Sequence, residues 1–216
     1  MKTWMLVVAV AMGLAACSST SSMHNDAYRQ IAVKQEEVVA HFNLDGSVTN
    51  QKVANGYYRK LLGTTTDNHF IVQDFYSRND QKQSDPLKVT NKEALQVFDN
   101  QHTDSEVTLY YANGARLENS LYDKGKLVGS STAYYPNGTV FHVNQFDQGM
   151  LHGRSQYFYS DGKLAANLEY VSNRLVNVEG WSEAQQPIVV ADMPKFLQVL
   201  QKLDQQNQLE IMRLAQ

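Results

Sequence analysis

The sequence predicts a mainly β protein: an antiparallel β-meander built from 24-residue hairpin repeats, with a C-terminal α-helix. Three observations predict it. An aromatic pair recurs at Tyr110–Tyr111, Tyr134–Tyr135 and Phe158–Tyr159, each followed by Asn113–Gly114, Asn137–Gly138 or Asp161–Gly162. Other columns keep the same period: Tyr122, Phe146 and Tyr170, with Phe98 one period earlier, then Gly125 with Gly149 and Gly129 with Gly153. From Asp192 onward the apolar spacing changes from that of strands to that of a helix. A fixed period of this length is the mark of a repeat architecture and takes precedence over local propensity.

Taken in order, the chain opens with a segment that is not part of the fold. Lys2 precedes the apolar run "WMLVVAVAMG", and residues 1–16 have the layout of a secretory signal peptide, too short to span a bilayer as a helix. "LAAC", ending at Cys17, resembles the bacterial lipobox, whose cysteine is diacylated and becomes the mature N-terminus. Cys17 is the single cysteine, so no disulfide forms within the chain. "SSTSS" follows, and residues 17–25 are expected to be a lipidated, Ser-rich tether. The acyl chains would anchor the protein to a membrane. In the Gram-negative lipoproteins it resembles, serine after the cysteine implies the outer membrane, facing the periplasm.

Residues 26–100 are expected to form an N-terminal β region of the repeat domain. Glu37 to Phe42 reads as a strand ending at the turn signal "NLDG", although Tyr28, Ile31, Val38, Val39 and Phe42 also fit one helical face. "YYRKLL", "GTTTDN" and "HFIVQDFY" read as strand, turn and strand. Asn79 to Pro86 is polar and reads as a loop, and Lys88 to Asn100 leads into the Phe98 column.

Residues 101–190 carry the repeats. Asn-Gly between aromatic and branched residues signals a two-residue type I′ hairpin turn, with positive φ at both central positions and Pro136 just outside them. Each repeat then holds two strands of about six or seven residues and two turns. Adjacent strand residues point to opposite faces, so the paired aromatics build one column on each face. One column is expected to be buried and the other to offer a binding surface. Tyr110, Tyr111, Tyr134, Tyr135, Phe158 and Tyr159 are the candidate residues.

Residues 191–216 form an amphipathic helix, with Asp192 as cap, Pro194 in the first turn and a stripe of Phe196, Leu200, Leu203, Ile211 and Leu214 that Asn207 interrupts. The stripe is suited to cover one sheet face or to bind a partner.

The segments "LYDKGKLVGSSTAYYPNG" and "QFDQGMLHGRSQYFYSDGK" together resemble the MORN repeat, in the bacterial variant often labelled an antitoxin component. The resemblance spans Tyr110 to about Tyr170. It implies a hairpin-repeat fold and supplies no catalytic residue. Asn173 and Asn177 stand where the other copies have glycine, as an atypical terminal copy would.

Composition narrows the function. Hydrophobic residues make up 43% of 216 residues, enough for a packed core, and the formal net charge of −3 argues against nucleic acid as a partner. His142 and His152 lie in neighbouring elements but match no metal-ligand spacing. Asp99, Asp123 and Asp147 recur with the repeat and suit turn aspartates better than a calcium ladder. Asp74, beside an aromatic pair, is a lone candidate for an acid of raised pKa. No nucleophile motif or phosphate loop is present, so no metal, cofactor or catalytic residue is expected. The expectation is a non-catalytic, membrane-anchored envelope lipoprotein that binds or scaffolds an envelope protein or peptide. An antitoxin-like inhibitor of one partner protein and an envelope enzyme are the alternatives.

Overall fold

The structure, a computed structural model, describes residues 26–189 and 193–215. The expected signal peptide, Cys17, the tether and the Asp192 cap lie outside the described residues. The fold is mainly antiparallel β with a C-terminal helix, as the sequence predicts.

After one helical turn, α1 (Asp26–Arg29), come β1 (Val33–Phe42), β2 (Val48–Thr49), β3 (Tyr57–Thr64), β4 (Phe70–Tyr76) and β5 (Leu87–Val89). They form a five-stranded sheet ordered β2-β1-β3-β4-β5. The stretch 28–42 is therefore strand over most of its length, and the helical alternative fails. The repeats supply β6 (Glu106–Tyr110), β7 (Arg116–Asp123), β8 (Lys126–Tyr134), β9 (Val140–Asp147), β10 (Met150–Leu151), β11 (Gly153–Phe158), β12 (Leu164–Val171) and β13 (Arg174–Trp181), followed by β14 (Pro187–Ile188). They form a second sheet ordered β14-β13-β12-β11-β9-β8-β7-β6, with β10 paired to β9. Apart from that short strand, every neighbour in the sheet is a neighbour in sequence.

The two ends of each hairpin use different turns, and the sequence expectation assigns them wrongly. The Asn-Gly and Asp-Gly turns are three-residue loops. Tyr135 N donates to Thr139 O and Gly138 N to Tyr135 O, both at 2.8 Å, and the same pair of bonds closes 111–115 and 159–163. Gly114, Gly138 and Gly162 have positive φ, whereas Asn113, Asn137 and Asp161 do not. This is a type I turn followed by a left-handed glycine. Pro136 lies inside the loop, at the position where its fixed φ fits a type I turn. Asn137 Oδ1 accepts from Thr139 N at 3.0 Å, and Asn113 and Asp161 accept likewise two residues on. Asn or Asp is there for its side-chain acceptor, not for positive φ. The type I′ turns are at the other end: Lys124–Gly125, Gln148–Gly149 and Ser172–Asn173 all have positive φ at both positions. Asn173 thus replaces a repeat glycine and keeps its left-handed conformation, while Asn177 does not.

Residues 82–85 join the sheets. On one side Gln83 N donates to Asp74 O (2.8 Å); on the other Tyr110 N donates to Gln83 O (2.8 Å) and Asp85 N to Thr108 O (2.9 Å). Leu61, Val72, Leu87, Val89 and Leu95 of the N-terminal part pack with Val107, Leu109 and Tyr122 of the repeats in one core cluster. Phe98 does not extend the Tyr122 column. It stacks on Tyr57 (4.8 Å between centroids) and meets Phe42 (5.0 Å) in a separate aromatic core. Above it the buried Arg59 grips both carboxylate oxygens of Asp74 at 2.7 Å and donates to Ala94 O and Val97 O. Asp74 is thus half of a buried ion pair, which overturns its reading as a lone acid.

Helix α2 (Met193–Ala215) lies on one face of the repeat sheet. Cross-strand register places Ala133, His142, Tyr157, Ala166 and Gly180 in one row on that face. At its start Phe196 packs so closely on Gly180 that a Cβ there would lie 2.5 Å from the ring. A glycine inside a strand marks such an approach. Gly180→Val is expected to cost about 1–3 kcal/mol through overpacking. It should also release the helix, seen as faster tryptic cleavage at Lys202, and unchanged protection of Lys202 would contradict this docking. Among the described residues no helix is long and apolar enough to cross a membrane.

Candidate functional site

The buried aromatic column organises the site. Tyr111, Tyr135 and Tyr159 follow directly on β6, β8 and β11, and all three are buried. Each hydroxyl donates to a carbonyl on the next repeat. Tyr111 reaches Tyr134 O, Tyr135 reaches Phe158 O, and Tyr159 reaches Trp181 O, all at 2.7 Å. The ladder also extends backward across the sheet junction, where Tyr76 donates to Tyr110 O at 2.8 Å. Tyr76 falls outside the 24-residue period, so the pattern gives no sign of it. Burial pushes the phenols of Tyr111, Tyr135 and Tyr159 up, and nearby carboxylates add to it: Glu210 at Tyr111, Asp204 and Asp161 at Tyr135, Glu183 and Asp161 at Tyr159. These hydroxyls stay protonated and act as donors.

The partner column differs, as the alternation of strand residues requires. Tyr110, Tyr134 and Phe158 are half-buried. The Lys82 ammonium sits 3.9 Å from the Tyr110 ring centre, and Tyr110 Oη donates to Asp85 Oδ2 at 2.9 Å. Arg116 lies over Tyr134 at 5.6 Å. The six candidate residues therefore divide into three that bind the repeats together and three on the opposite face, of which Tyr110 and Tyr134 already have cationic cover.

Helix α2 does not fill the space above the turns. Between them is a groove of about 830 Å³. Tyr135 and Tyr159 are part of its lining. One wall is made by the turn residues Pro136, Asn137, Ser160 and Asp161, with Lys163, Glu183 and Ala184 beyond them. The other wall is α2, through Leu203, Gln206, Asn207 and Glu210. Leu203 packs on the column with Ala133, Phe141 and Ala165. Asn207, which breaks the apolar stripe in sequence, is buried, and its side-chain amide meets the Tyr111 hydroxyl at 3.2 Å. The interruption is a polar contact to the first repeat tyrosine of the ladder.

The other sequence candidates do not assemble into a chemical centre. His142 is packed between Phe141 and Tyr157, and burial lowers its pKa to about 4, so the ring is neutral. His152 is joined through its backbone N–H to Gln145 O. Asp99 accepts from Gln101 N, while Asp123 and Asp147 flank type I′ turns, paired with Lys126 and Met150. Among the described residues no group of three or more His, Cys, Asp or Glu is placed to hold a metal ion. No family model, curated protein or solved structure matches the chain.

Proposed function

We propose that this chain is a lipid-anchored cell-envelope protein whose repeat sheet and helix form a non-catalytic binding or scaffolding module for an envelope protein or peptide. The observation that carries the reading is the groove between the turn row and α2. It is a concave site with a floor of buried, hydrogen-bonded tyrosines and walls of polar side chains that can orient a bound chain. The anchor rests on the lipobox-like "LAAC" and the Ser-rich stretch after Cys17, with the outer membrane, facing the periplasm, as the proposed location.

Two measurements test it. Cys17→Ser should abolish labelling by a fatty-acid probe and move the protein from the membrane to the soluble periplasmic fraction. Unchanged membrane association would remove the anchor from the proposal. A photo-crosslinking residue at Gln206, in the groove, should give discrete adducts in intact envelopes, whereas one at Gln208, which does not line it, should not. Equal adducts from both positions would mean that the groove is not the binding site.

A further inference from the structure

We propose that the outer edge of β13 pairs antiparallel with the same edge of a second copy, so that two repeat sheets continue as one. The inference is independent of the groove and concerns the end of the sheet. β13 pairs with β12 from Arg174 to Gly180, but β14 covers its other side only at Gly180 and Trp181. Among the described residues nothing pairs with the outer side of 174–179. All of these residues but Val178 are exposed, and the apolar Leu175 and Val176 are 40% and 46% exposed. An unpaired edge of this kind is a template for another strand.

The backbone decides which strand fits. Val171 and Arg174 close a two-residue turn as a bonded pair, so Arg174 faces β12 and Leu175 turns its N–H and C=O outward. At the far end Ser182 N donates to Gln186 O, so alternation turns Gly180 and then Val178 to that same outer side. Between Leu175 and Val178 the β12–β13 ladder shifts register, which adds one residue to β13. Outward groups in a regular strand recur every second residue, and here the interval is three. A regular strand matches one of the two positions. A second copy has the same interval and matches both, with Leu175 opposite Val178 of the second copy and Val178 opposite its Leu175.

The side chains agree with that register. It places Arg174 opposite Glu179, once at each end of the contact. Gly180 faces α2 and Leu175 pairs with Tyr170 of the helix-side cluster, so Arg174 and Glu179 both lie on the face away from α2. Arg174 has no ion pair among the described residues, and Glu179 accepts only from Asn167 Nδ2 at 3.3 Å. On the helix side Leu175 extends the apolar cluster of Leu168, Val178 and Phe196 across the contact. A two-fold contact requires a patch complementary to itself, and opposite charges in facing strand positions supply it here. The partner strand also ends in its own turn at 172–173, just where β14 begins. The open edge of β1 lacks this fit: two register shifts interrupt it, and Gln96 Nε2 already donates to Val39 O.

The test follows self-association of the full chain in detergent micelles, with empty micelles in large excess. Energy transfer between copies labelled at the C-terminus with donor or acceptor gives the readout. The parent should associate as its concentration rises. Arg174→Glu and Glu179→Arg should each weaken association about tenfold or more, since both symmetry-related pairs turn repulsive at once. A mixture of these two variants should associate as well as the parent, because each facing pair then joins opposite charges. Both positions are exposed, so thermal melts of the variants at low concentration should match the parent. A parent that shows no energy transfer at any concentration overturns the proposal, as does a mixture that associates no better than its components. Association that neither variant weakens places the contact elsewhere and overturns it too.

Discussion

Arg59→Leu should destabilise the protein by about 3–5 kcal/mol, a large part of the stability of a typical domain. The guanidinium satisfies both oxygens of Asp74 and the carbonyls of Ala94 and Val97, and its face lies 5.5 Å from the Phe42 ring centre. Both partners of the pair are buried, so removing Arg59 leaves a carboxylate and two carbonyls without their donor in a dry environment. The same loss frees the segment that positions Phe98 on Tyr57. Urea denaturation provides the measurement. The paired replacement Arg59→Leu with Asp74→Leu should recover much of the loss, since it removes both charges together. A single variant within about 1 kcal/mol of the parent would show that this pair does not organise the N-terminal sheet.

Tyr135→Ala is the second large effect, at about 3–5 kcal/mol. Its ring packs against Phe141 at 5.1 Å in the cluster that includes Tyr159 and Leu203, and its hydroxyl joins two repeats. Tyr135→Phe should cost only about 1 kcal/mol, the net value of the hydrogen bond. The neighbouring Tyr134→Ala should cost clearly less than Tyr135→Ala, because Tyr134 is half-buried on the other face. Thermal melts of the three variants separate ring packing from the hydroxyl. Equal losses for Tyr134→Ala and Tyr135→Ala would contradict the division of the two columns.

The repeat period, the strand pairing order and the C-terminal helix are legible in the sequence because each has a local signature. Turn identity is less so. Asn-Gly suits both a type I′ turn and a type I turn with a left-handed glycine, and what decides here is loop length, which Pro136 signals by preferring the second position of a type I turn. Which tyrosine of each pair is buried is not legible, since alternation says only that the two differ. The Arg59–Asp74 pair joins β3 to β4 but draws its remaining acceptors from residues 94 and 97, and no spacing rule links those positions. Asn207 is visible only as a flaw in an apolar stripe. Its role becomes clear once Tyr111 is known to lie beneath it, 96 positions away in sequence.

The tyrosine ladder and the helix above it set a rule for length. From Phe196 on Gly180 to the Leu214 carbonyl that accepts from Arg78, α2 runs across the array as a ruler. Its 23 residues measure about 34 Å, and the seven strands from β13 to β6 are about 29 Å wide. Duplicating one repeat would add two strands, about 10 Å, and the ladder would still close, because every hydroxyl finds its acceptor in whichever unit comes next. The helix would then fall short by about six or seven residues. Repeat number in this architecture is therefore not free to drift: a gain or loss of one hairpin unit has to be matched by about two turns of helix at the far end of the chain.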